Sequence, residues 1–117
     1  MIAETKVGCQ TYTWEMLGPA WKGGPDDLLD AIAGAGYSGI EITDTMIGAY
    51  ADRPADFARA LDERGLTLVA FASGSESGFT EPDAVTRDLA SVERWLKFLE
   101  GFPGALLSLG SATIMSP

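Results

Sequence analysis

The chain has 117 residues, 46% of them hydrophobic, with 17 acidic against 8 basic side chains and a net charge of −9. Such a chain is one domain, or part of one, with material for a real core. Its negative field disfavours nucleic acid or an anionic membrane as a partner, since both need positive charge. With no histidine and one cysteine, Cys9, no intrachain disulfide, Ser/His/Asp triad or Cys/His pair can be built. No apolar run approaches the ~20 residues of a membrane span. The opening Met-Ile-Ala-Glu-Thr-Lys lacks the charged head and apolar middle of a signal peptide. A cytoplasmic protein is expected.

In chain order, residues 7–14 are β-branched and aromatic and predict a first strand. Alternation sets Val7, Cys9 and Thr11 on one face and Gly8, Gln10, Tyr12 and Trp14 on the other. A loop over 15–24 follows, broken by Pro19, Gly23 and Gly24. Pro25, with Asp26 and Asp27 behind it, suits a helix start. Leu28, Leu29, Ile32 and Ala33 form the stripe of that first helix. Gly34 and Gly36 suit its end, where the chain must turn left-handed.

Residues 39–43 then alternate apolar Ile40 and Ile42 with polar Glu41 and Thr43, the period of a strand with unlike faces. After the loop 44–53, Pro54 opens a second helix over 55–64, with Phe57, Ala58 and Leu61 inward and Gly65 as its cap. A third strand covers 66–73. Thr80 and Asp83 form a capping-box-like pair for a third helix. Val85, Leu89, Val92, Leu96 and Leu99 step by four and three residues, and predict its core-facing stripe. Phe102, Pro103 and Gly104 end it, and a fourth strand is expected over 105–110.

The helix-to-strand joint occurs three times, at Gly36, Gly65 and Gly101, with spacings of 29 and 36 residues. Strands alternating with helices at this period imply right-handed βαβ units and a parallel sheet. No GxGxxG follows the first strand and no P-loop lysine is present, so nothing marks the reversal of a doubly wound sheet. The remaining simple solution is an α/β barrel wound in sequence order 1-2-3-4. A (β/α)8 barrel takes ~250 residues, so this chain is expected to be its N-terminal half.

The run Val-Gly-Cys-Gln-Thr-Tyr-Thr-Trp at 7–14, the segment 27–42 ending Gly-Tyr-Ser-Gly-Ile-Glu-Ile, and Leu-Asp-Glu-Arg-Gly-Leu-Thr-Leu at 61–68 resemble the xylose isomerase-like barrel superfamily. Within it they resemble the sugar phosphate isomerase/epimerase and inosose dehydratase-like group, over its N-terminal half. The resemblance implies a metal-dependent enzyme moving a proton on a sugar or polyol, with Mn, Mg or Co held by carboxylates and a histidine of the family's second half. No metal ligand carries over to this chain. A piece of this length is expected to be inactive alone and to hold no metal tightly. The resemblance implies a substrate wall formed by Gln10, Tyr12, Trp14 and Glu41. It also implies association, either with itself or with a separate C-terminal half. A DNA-repair endonuclease of the same superfamily is disfavoured by the charge and the missing histidine.

Each of these residues has a plainer reading. Glu41 is either a pocket carboxylate or the partner of an inward-facing base. Tyr12 and Trp14 either stack on a sugar or pack within the barrel, and Gln10 is a hydrogen-bonding group for substrate. Asp44 reads as an exposed loop acid, and 73–77 with Glu76 as a solvated loop. Cys9 reads as a small core residue, and Met16, Met46 and Met115 as loop packing.

Overall fold

The computed structural model describes residues 5–75 and 77–110; Glu76 and Met115 lie outside them. The elements are β1 (Gly8–Gln10), α1 (Tyr12–Met16), α2 (Pro25–Gly34), β2 (Gly39–Thr43), α3 (Pro54–Glu63), β3 (Thr67–Ser73), α4 (Val85–Leu99) and β4 (Leu106–Leu109). The strands form one parallel sheet in the order β1-β2-β3-β4, with helices between them. This is the arrangement of four consecutive strands of a (β/α)8 barrel. Among the described residues no helix is long and apolar enough to cross a membrane.

The first two joints follow from glycine chemistry. At the end of α2 the Tyr37 and Gly36 amides donate to the Ile32 and Ala33 carbonyls, and at the end of α3 the Leu66 and Gly65 amides donate to those of Leu61 and Asp62. Both are Schellman closures, with Gly36 at φ 92 and Gly65 at φ 66. The third joint differs. Gly101 is not left-handed, and the positive φ falls later, on Gly104 at 87.

One face of the sheet carries the core. Ile40, Ile42, Leu68 and Phe71 pack there against Leu29, Ile32, Phe57, Leu61, Trp95 and Phe98. Between Ile40 and Glu41 the register with β3 slips by one residue, so that Ile40 faces Leu68 and Glu41 faces Ala70. The resulting bulge leaves Val69 half exposed and lets Leu68 and Phe71, three residues apart, share the helix side.

Three expectations are corrected. The first strand stops at Gln10. Thr11 donates a last sheet hydrogen bond to the Glu41 carbonyl at 3.0 Å and then enters helical geometry at φ −81, ψ 0. Tyr12 and Trp14 therefore stand on a short helix rather than on the strand face. Local β preference yields here to packing, because the turn lets Trp14 reach the core and the Trp21 ring at 6.4 Å.

Thr80 is no helix cap either; its hydroxyl donates to the Ser77 carbonyl at 2.9 Å. Pro82 forces the residue before it out of helical geometry, so Glu81 is extended at φ −94, ψ 118, and α4 begins only at Val85.

The largest correction is the face of α4. Val85, Leu89 and Leu96 are 51%, 57% and 52% exposed, whereas Trp95, Phe98, Leu99 and Phe102 are buried. Two apolar stripes compete on this helix and the aromatic one wins. Its rings close on Phe71 and Phe57, with Phe71 4.4 Å from Trp95 and Phe98 6.1 Å from Phe57. Aromatic side chains bury the most area, and ring pairs add to it.

Candidate functional site

The face of the sheet away from the helices is open. Gln10 and Glu41 stand side by side there, paired in register across β1 and β2. The next position in this row is Ala70. The floor around them is small. A methyl at Gly8 would sit 3.3 Å from the Gly39 backbone, and one at Gly39 would sit 2.8 Å from Val69 Cγ2. The resulting depression of about 350 Å³ is lined by Lys6, Gly8, Gln10, Glu41 and Val69, among others. Glu41 is half-buried, and its carboxylate takes no hydrogen bond or ion pair among the described residues. Lys6 shares its depression without pairing to it.

At the C-terminal end of the strands, α1 folds back over the sheet and delivers Glu15. Its Oε1 accepts hydrogen bonds from the Thr43 hydroxyl at 2.5 Å and from the Thr45 hydroxyl. Thr43 faces the open side as expected, but this roof leaves it only 8% exposed. Beside it, Asp44 Oδ2 accepts from the Ser73 hydroxyl at 3.2 Å and the Gly74 amide at 3.3 Å. Asp44 thus ties the loop after β3 to the end of β2 and is not merely a solvated acid. Thr11, at the same end of β1, is fully buried, and its hydroxyl finds no partner among the described residues.

Of the predicted wall, the structure brings Gln10 and Glu41 together and keeps Tyr12 and Trp14 away from them. Tyr12 is 56% exposed on α1 and Trp14 packs on the core. Cys9 packs against the core from the helix side, as read from the alternation. Sequence reasoning missed Glu15. Once the strand is ended at Gln10, Glu15 falls just beyond its C-terminal end, where a barrel of this kind keeps its chemistry; that position was the available signal.

Among the described residues no three of His, Cys, Asp and Glu gather closely enough to hold a metal ion. The residues present therefore do not fit the divalent ion that the resemblance implies, and no chemical step is routed through one. A second depression, of about 520 Å³, lies between α2 and α3 and contains Arg53, Arg59 and Arg64. Those arginines are already matched by carboxylates, through Arg53–Asp56, Arg59–Asp56 and Arg64–Asp30. That leaves no excess charge for an anion.

No protein-family model matches this chain, and no curated protein is significantly similar to it.

Proposed function

We propose that this chain is the sugar- or polyol-binding wall of a cytoplasmic isomerase/epimerase-type barrel of the xylose isomerase-like kind, whose metal and proton-transfer groups come from outside the described residues. The supporting observation is the adjacent Gln10–Glu41 pair on an open, small-floored face, with Glu41 lacking a partner of its own. A carboxylate accepts from substrate hydroxyls while the carboxamide both donates and accepts. That is the chemistry a vicinal diol calls for. Glu15, held by two threonine hydroxyls, offers a further acceptor at the rim.

The test is chemical-shift mapping of the labelled chain against a panel of aldoses, ketoses, inositols and their phosphates. Binding is expected to move the amides of Gln10 and Glu41 and to be lost in Glu41→Gln. Shifts confined to the helix side, or unchanged binding in that variant, would overturn this reading.

A second reading is a non-catalytic assembly module that pairs with itself or with a separate half-barrel. It is favoured by β1 and β4, each of which has a neighbour on one side only. Such edges template association. Light scattering coupled to gel filtration would support it with a dimer, and a sharp monomer of about 12.4 kDa would count against self-pairing.

A further inference from the structure

We propose that α1, with the turn that follows it, is a hinged cover over the C-terminal end of the sheet, latched shut by Glu15 and able to lift while the rest of the fold stays intact. Within α1 and the turn Gly18–Ala20 no residue is buried, and Tyr12, Met16 and Leu17 are 56%, 73% and 51% exposed. A helix of five residues has no stability of its own, so side-chain contacts must hold it down. Trp14 packs on the edge of the core and against Trp21, a residue of the same stretch. The polar tie is Glu15, whose Oε1 accepts from the Thr43 hydroxyl at 2.5 Å and from the Thr45 hydroxyl. Both bonds run to one charged oxygen, which makes them the strong kind.

The other side of the balance is Thr11. It stands where the cover leaves β1, is fully buried, and its hydroxyl has no partner among the described residues. A buried hydroxyl without a partner is unfavourable, and lifting α1 would admit water to it. The shut position therefore sets the Glu15 latch against one dehydrated hydroxyl, and local opening at a cost below that of global unfolding follows. Hinges are present at both ends. Thr11 turns the chain out of the strand at φ −81, ψ 0, and Gly23 and Gly24 lead into α2, where glycine absorbs a change of backbone angle at low steric cost. Shut, the cover leaves Thr43 8% exposed. Lifted, it bares Thr43 and frees the Glu15 carboxylate at the end of the sheet where a barrel of this kind keeps its site. The latch lies beyond Gln10 and Glu41 along the sheet, so its movement does not depend on what the open face binds.

The experiment is residue-by-residue amide hydrogen exchange of the full, isotope-labelled chain over a range of low urea concentrations. The reporters are the Trp14 amide, which donates to the Thr11 carbonyl at 3.0 Å, and the Leu17 amide, which donates to the Trp14 carbonyl at 3.1 Å. Both are expected to be protected, yet to exchange faster than Ile42 and Phe71 of the sheet and with almost no dependence on urea, the signature of local opening. Thr43→Val keeps the side-chain shape but removes a latch donor, and should speed the reporters roughly tenfold. Thr11→Val removes the opposing hydroxyl and should slow them roughly fivefold. Opposite signs from two like substitutions are what a latch and its counterweight require. Four results would overturn the proposal: reporters unprotected in the parent; reporters sharing the rate and urea dependence of Ile42 and Phe71; reporters unmoved by Thr43→Val; or reporters not slowed by Thr11→Val.

Discussion

The choice of stripe on α4 can be measured directly by truncating one residue from each. Phe98 is 4% exposed, and its ring lies 5.2 Å from Phe102, 5.6 Å from Phe71 and 5.9 Å from Trp95. Cutting such a residue to alanine removes its transfer free energy and leaves a cavity, a cost of about 3–5 kcal/mol. A domain of this length is stable by roughly 6–17 kcal/mol, so Phe98→Ala forfeits a large share of the total. Leu96 is 52% exposed. Only about half of its transfer free energy is at stake and no cavity forms, so Leu96→Ala costs ~1 kcal/mol. Urea unfolding followed by circular dichroism, with slopes of about 1–3 kcal/mol per molar, would separate the two. The Phe98→Ala midpoint is expected to fall roughly 2 M and that of Leu96→Ala well under 1 M. Equal shifts would mean that Leu96 faces the core and that the described rotation of α4 is wrong.

Three further outcomes follow from single contacts. Thr11→Val removes a buried hydroxyl that has no partner and is expected to stabilise the chain by about 1 kcal/mol, read in the same urea experiment; a loss of that size would show the hydroxyl is satisfied. Tyr50 donates to Asp26 at 2.7 Å; this hydrogen bond first, then burial and the Asp26 charge, raise its pKa above 10.0. A raised folded pKa means that its contribution is intact below about pH 10 and is lost as pH climbs through the folded value. Tyr50→Phe should therefore cost about 0.5–1 kcal/mol at neutral pH and show a shallower alkaline decline than the parent; parallel declines would refute the linkage. Gly39→Ala drives a methyl to 2.8 Å from Val69 Cγ2 and should cost about 1–3 kcal/mol, most of it recovered in the double variant with Val69→Ala, as a double-mutant cycle would show.

Much of the fold was legible because a few residues admit one solution. Gly36 and Gly65 sit where the chain must turn left-handed, and both helix ends close there as their spacing implies. Ile40 and Ile42 flank Glu41 so that only one of the two faces can be core, which placed Glu41 and Gln10 on the open side. Legibility failed where two local solutions compete. Residues 12–14 have strand propensity but fold as a helix for the sake of Trp14, and that error hid Glu15. The leucine and aromatic stripes of α4 have the same period, and only the rings of Phe57 and Phe71, distant in sequence, decide between them. The bulge at Val69 carries no mark in a run whose residues are nearly all apolar.

The rotation of α4 also decides the shape of the loop after β3. Turning Trp95 and Phe98 inward carries Asp88 in with them, to 7% exposure, and a carboxylate there needs a donor. Ser77 supplies it, with its hydroxyl 2.6 Å from Asp88 Oδ2. With that proton committed, the 2.8 Å contact between Ser75 and Ser77 must be donated by Ser75. The Ser77 oxygen then accepts the Phe79 amide at 3.1 Å, which holds Phe79 at φ 62, a conformation that costs a non-glycine residue of order 1–2 kcal/mol. Phe79 in turn lines an apolar depression with Val85, Leu89 and Leu109, while Ser73 and Gly74, at the other end of the same loop, hold Asp44 beside Thr43. The outward leucines, the buried Asp88 and the placement of Asp44 at the strand ends are thus consequences of one packing choice made by four aromatic rings.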